Sequence, residues 1–154
     1  MGGRVEAIRI SAAAGAPMAS AWRIAAHAGG GLEGDRYDTG TGEFSGMPGA
    51  GRGLTLIAAE AVEQANKAHP GLDLTAAQTR RNVTVRGIDI NSLIGRDFRI
   101  GSVRCRGIRP ADPCAYLEKL LDKPVLAALA GRAGLRADIL EDGEIAVGDE
   151  VVAV

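Results

Sequence analysis

The sequence predicts a mainly β protein: a closed or nearly closed β-barrel of about seven strands, decorated by two or three helices. Short runs of alternating or β-branched residues recur along the chain, punctuated by turn residues. Strands and helices do not alternate as repeated βα units, which argues against a doubly wound parallel sheet. The 154 residues suit one domain, 1–154. Closing such strands on themselves removes exposed edges, so a barrel is favoured over an open sheet.

Arg4 to Ile10 alternates as a strand, with Val5 and Ile8 slightly out of phase. Ser11 to Ser20, rich in Ala, Gly and Pro, reads as a loop, and Trp22 to Ala28 as a short strand. Gly29 to Gly53 is glycine-dense, and loops of that length in compact domains are usually functional or mobile. Leu54 to Ile57 is a buried-strand pattern running into a helix of good formers from Ala58 to Lys67, stopped near Pro70-Gly71. Thr75 to Gln78 adds a helical turn, Asn82 to Arg86 a strand, and Ile88 to Ile94 a turn. Asp97–Ile100 and Val103–Ile108 are two strands joined at Gly101-Ser102. Cys114 to Leu121 and Pro124 to Ala130 are helical, the second with proline in its first turn. Arg136 to Val147 predicts a hairpin on Asp142-Gly143, and Glu150 to Val154 a last strand.

Composition narrows the function classes. A formal net charge of -1 provides no overall field toward nucleic acid or an anionic membrane. Aromatics at 3% leave little for a base-stacking platform. The apolar stretches fall short of the ~20 residues of a membrane helix. The start, Met1 to Glu6, has no apolar secretory region. The expectation is a cytoplasmic protein with neither nucleic-acid nor membrane partners. Lysine occurs only at Lys67, Lys119 and Lys123, so the cationic groups are otherwise arginines. Their planar forks suit carboxylate, phosphate or oxyanion groups, although a GC-rich coding sequence inflates Ala, Gly and Arg together.

Three constellations carry candidate chemistry. Cys114 follows Arg109-Pro110-Ala111-Asp112-Pro113 and falls at a predicted helix start. The dipole there and Arg109 favour a thiolate, and Asp112 opposes it. A lowered thiol pKa serves a nucleophile, a persulfide carrier or a soft-metal ligand; the alternative is a small buried cysteine. Cys105, inside an alternating strand, reads as such a buried residue. Thr79-Arg80-Arg81-Asn82 opens a strand, so Arg80 and Arg81 are expected on opposite faces. Arg81 with the Asn82 amide makes an oxyanion or pterin-edge reader; a solvated strand end is the alternative. Gly131-Arg132-Ala133-Gly134-Leu135-Arg136 offers two arginines around tight turns, or a helix C-cap. No cysteine pair or histidine has zinc-ligand spacing, no G-x-S-x-G occurs, and the Gly-rich runs at 40–42 and 49–53 lack Rossmann or Walker context.

Taken in order, these segments resemble the MOSC domain, found at the C-terminus of molybdenum cofactor sulfurase and in small stand-alone bacterial proteins. The matching runs are Gly34-Asp35-Arg36, Arg52 to Ala61, Arg81 to Gly87, Leu93 to Gly101, Pro113-Cys114, Gly131 to Ala137 and Gly148-Asp149. The resemblance implies a mixed β-barrel whose pocket handles sulfur, molybdenum or the pterin cofactor. The family's key cysteine maps onto Cys114, not Cys105, as persulfide carrier or molybdenum-ligating thiolate. Arg81, Asn82, Arg132 and Arg136, with Arg109 beside the cysteine, are then expected around the anionic end of molybdopterin. Where many relatives have a histidine after the Gly-Asp pair, this chain has Arg36-Tyr37-Asp38, which weakens any histidine-assisted proton transfer. The pyridoxal phosphate of the larger sulfurases belongs to a domain this chain does not contain and is not expected here. A cysteine desulfurase, a molybdenum enzyme or an electron donor is the implied partner. A small molybdenum-dependent reductase of N-hydroxylated compounds, and a non-catalytic binding barrel, are the alternatives.

Overall fold

Alternation along the strands sends one side chain in two inward, and that periodicity closes the sheet around an aliphatic core. The computed structural model describes residues 2–40, 50–112 and 115–154. The chain begins with β1 (Gly3–Ile10), β2 (Ala19–Ala21), β3 (Arg23–Ala26) and the single-turn helix α1 (Arg36–Thr39). β4 (Leu54–Ala58), α2 (Ala59–Ala68) and β5 (Val83–Arg86) follow, then β6 (Asp97–Ile100) and β7 (Val103–Pro110). Helices α3 (Ala115–Leu121) and α4 (Val125–Ala128) precede β8 (Leu135–Ile139), β9 (Gly143–Ala146) and β10 (Glu150–Ala153). Two 3-10 turns occupy Ala77–Thr79 and Ile90–Leu93.

Seven strands form a closed ring, in the order β1, β10, β6, β7, β8, β4, β5 and back to β1. Only β4 and β5 run parallel among these pairs, and α2 is their crossover. Closure is made by Gly3 opposite Val151 and Arg4 opposite Glu150. β2 extends the sheet outside the ring, and β3 with β9 forms a separate antiparallel ribbon.

The out-of-phase residues of β1 have a physical cause. The register against β5 shifts between Val5 and Ala7, and this bulge brings both Val5 and Ile8 inward. Leu54, Leu56, Val83, Val85, Phe98 and Leu135 pack with them, each fully buried aliphatic or aromatic side chain contributing roughly 1.5–3 kcal/mol. Cys105 belongs to this core at 0% exposure, and burial pushes its thiol up to about 12. It is the buried residue its strand position predicts. Outside the barrel, Ile57 of β4 meets Val62, Ala65, Leu117, Val125 and Leu129 in a second cluster beneath the helices. β4 is therefore buried on both faces, which explains its continuous apolar run.

Three expectations are corrected. Residues 136–147 do not form a hairpin: β8 pairs with β4 and β7, while β9 pairs with β3. The Asp142 carboxylate accepts the Ala28 N–H at 2.7 Å, and Gly29 N donates to the Ile139 carbonyl at 3.0 Å. These long-range bonds carry the chain out of the barrel and into the ribbon. The glycine-dense stretch contains α1, capped by Asp35, whose side chain accepts the Tyr37 N–H. Four α-helices, rather than two or three, decorate the described barrel.

Candidate functional site

On β8, Leu135 and Ala137 point into the barrel, so Arg136 between them points outward, opposite Thr55 of β4. A loop around Gly15, the α1 residues Arg36 and Tyr37, and Tyr116 and Leu117 of α3 close over this outer face. Arg80 and Arg81 complete a cavity of about 40 Å3, room for a few waters or one tetrahedral oxyanion.

Arg36, Arg80 and Arg81 are aimed by acceptors of the chain. Arg36 donates to Asp35 Oδ1 at 3.2 Å and to the Arg80 carbonyl at 3.0 Å, with its guanidinium 4.9 Å from the Tyr37 ring centroid. Asp35, fully buried, also accepts the Ser11 N–H. Arg81 Nε donates to the Ala133 carbonyl at 2.9 Å and Nη2 to the Asp112 carbonyl at 3.2 Å. Arg80 donates to the Ala16 carbonyl at 2.6 Å and Ser11 Oγ at 3.3 Å. Among the described residues Arg80 makes no ion pair. Burial, and after it the charge of Arg36, lowers its pKa below the ordinary guanidinium value. An anion entering the cavity would relieve both penalties.

Arg81 and Arg136 thus meet in one cavity. Arg80 joins them, contrary to the opposite-face expectation, because it stands in the left-handed region (φ 60°) capping the 3-10 turn rather than in the strand. Asn82 lies beneath the cavity wall instead of in it. Its Oδ1 accepts from Thr55 N and Oγ1 at 3.1 and 3.2 Å, and its Nδ2 donates to the Arg9 carbonyl. Arg109, at the end of β7, donates to the Ala50 carbonyl and does not line the cavity. Arg132 lines a different hollow. Cys114 lies outside the described residues; Asp112 and Tyr116, two residues to either side of it in sequence, are tied to the cavity by the Arg81 bond and by lining it. Arg36, Tyr37, Thr55 and Tyr116 were not singled out from the sequence. Asp35 immediately before a polar turn is an N-cap signature, and together with the matching run Gly34-Asp35-Arg36 it is the signal that points to Arg36.

Behind α1, Asp38 holds His27 through Nδ1 at 3.1 Å and accepts the Gly31 N–H at 3.0 Å. The Asp38 hydrogen bond raises the His27 pKa above its ordinary 6.5. Burial opposes ionisation of Asp38, but the Gly31 N–H and His27 outweigh it and hold the carboxyl low. The raised histidine stabilises the fold below its unfolded value and loses this as pH rises through the folded value. The lowered carboxylate contributes above its unfolded value and fails as pH falls through the folded one. The pair therefore supports α1 between the ordinary carboxylate range and the raised imidazole value. An NMR titration is expected to place His27 above 6.5 in the wild type and lower in Asp38→Asn than in the wild type.

A family model described as the MOSC domain matches residues 35–152. Among solved structures, the chain is similar to the YuaD protein from Bacillus subtilis, with TM-score 0.79, 17% identity, and 98% of this chain and 94% of that chain covered. It is similar to YiiM from Geobacillus stearothermophilus at TM-score 0.70 and 16% identity, covering 99% of this chain and 75% of that one. The corresponding values for YiiM from Escherichia coli are 0.69, 18%, 98% and 69%. No curated protein sequence matches. Identities this low speak for the shared barrel alone. The family model spans most of the chain, through the cavity's α1, β4, α3 and β8 walls, and this chain belongs to the MOSC domain family.

Proposed function

We propose that the protein binds the molybdenum cofactor or carries sulfur for it, with the arginine cavity holding an anionic end of the molybdopterin. Cys114 is assigned as the persulfide carrier or the molybdenum-ligating thiolate. The observation that carries the reading is Arg80: a half-buried guanidinium beside Arg36, held by neutral acceptors and without an ion pair among the described residues. Arg36, Arg81 and Arg136 converge on the same space, and charge-assisted bonds from such forks suit phosphate oxygens. The donor set fits that part of the group; the cavity is too small for a whole pterin. When bound, the cofactor would supply a metal that accepts soft thiolate or sulfide ligands. This chain's part is to neutralise and orient the anion through its guanidinium groups, with Thr55 and the tyrosines narrowing the opening. In the carrier form, a cysteine desulfurase would load Cys114 and a molybdenum enzyme would receive the sulfur.

Purification from a host making the cofactor, followed by elemental analysis, tests this. Wild type is expected to retain molybdenum, Cys114→Ala to lose it if the thiolate is the ligand, and Arg80→Gln to retain about tenfold less, as one lost charge-assisted bond implies. Equal metal in wild type and Cys114→Ala removes the ligand form; equal metal in Arg80→Gln removes the assignment of the cavity.

A further inference from the structure

The turn at 131–134 stands between two hollows. The Ala133 carbonyl faces Arg81, while Arg132 and Gly134 line a second hollow of about 500 Å3, within the usual range for small-molecule sites. Its other walls are the first turns of α2, carrying Glu60 and Gln64, and the segment from Gly87 to Asn91. The polar groups there are incompletely used. Among the described residues, the half-buried Arg132 guanidinium and the Gln64 amide make no hydrogen bond or ion pair. Glu60 accepts the Gly87 N–H at 2.8 Å through Oε2, while its Oε1 is buried without a partner. Asp89 spends one oxygen capping the 3-10 turn at Asn91.

Opposite charges thus line one hollow without pairing across it. Charges free to meet would do so, since even a partly desolvated pair gains from contact. Held apart, they are placed to be bridged by a molecule bearing both signs. The Glu60 and Asp89 carboxylates put negative charge on the lining of the hollow, which favours an ammonium group there. Ile88 and Ile90 add apolar lining to the hollow.

We propose that this hollow binds a small zwitterion of the aliphatic α-amino acid class, its carboxylate on Arg132, its ammonium toward Glu60 and Asp89, and its side chain against Ile88 and Ile90. The site shares no lining residue with the arginine cavity and does not depend on the cofactor reading.

Titration of the full chain with L-leucine, followed by NMR and calorimetry, tests the assignment. Isocaproate and isoamylamine, which each carry one of the two charges on the same stem, are the controls. Saturable leucine binding is expected, at least about tenfold tighter than either half, and weakened about tenfold in Arg132→Gln and in Glu60→Gln. Glu60→Gln keeps an acceptor for the Gly87 N–H, so it removes the charge without the anchor. Absence of saturable binding in wild type, equal binding of isocaproate, or unchanged binding in both variants overturns the proposal.

Discussion

Gly134→Ala is expected to lower stability by about 3 kcal/mol, the sum of a left-handed backbone penalty and a steric displacement in a packed wall. Gly134 has φ +124°, and a Cβ there would collide with the Leu56 carbonyl oxygen of β4, itself fully buried. Neither partner can yield cheaply, because the Gly134 carbonyl also accepts the Ala111 N–H at 2.9 Å. The turn, β4 and residues 111–112 would have to shift together, disturbing the carbonyls that orient Arg81. Urea unfolding measures the loss directly. Gly131→Ala is the matched control: its φ is +74° but a Cβ there meets nothing within 4 Å, so only about 1–2 kcal/mol is at stake. Equal losses at the two positions would contradict the steric account.

Asn82→Ala is expected to be comparably severe, at about 3 kcal/mol. The residue is 1% exposed and its amide serves three backbone or side-chain groups: Thr55 N, Thr55 Oγ1 and the Arg9 carbonyl. Truncation leaves these without their partner inside the wall, at about 1–3 kcal/mol for each group left unsatisfied. Because Thr55 lines the arginine cavity, anion binding is expected to weaken as well. Asn82→Asp separates the two halves of the amide. The carboxylate still accepts from Thr55 but repels the Arg9 carbonyl, so part of the stability should return on acidification, when a protonated carboxyl can donate. Loss of stability on acidification relative to wild type would contradict this arrangement.

The barrel was legible in the sequence because its evidence is local. Alternation in Arg4–Ile10, Asn82–Arg86 and Val103–Ile108 marks strands whatever they pair with, and the β1 bulge is already visible in the phase slip between Val5 and Ile8. Pairing is not local. Asp142-Gly143 carries a hairpin signal, yet Asp142 spends its carboxylate on Ala28, far away in the chain, and the flanking strands find other partners. The site divides in the same way. Arg81 and Arg136 belong to motifs legible in the sequence and reach one cavity, whereas the place of Arg80 turns on a single left-handed φ that no alternation rule anticipates. Asn82 looked like a ligand reader because nothing in the sequence shows that Thr55 and Arg9 consume its amide. Arg109 is grouped with the others by its nearness to Cys114 and Arg132 by its place in the 131–137 motif, but the end of β7 and the 131–134 turn face different spaces.

The ring is sealed by the pairing of Gly3 with Val151 and Arg4 with Glu150. Every residue from Gly3 to Val151 must be synthesised before these partners can meet, so a nascent chain cannot complete its cylinder until β10 has emerged. Contacts of such sequence separation are slow to form, and until then β1 has one flank without its final neighbour. A covalent bridge between the two seam strands should therefore speed refolding by removing the loop-closure cost.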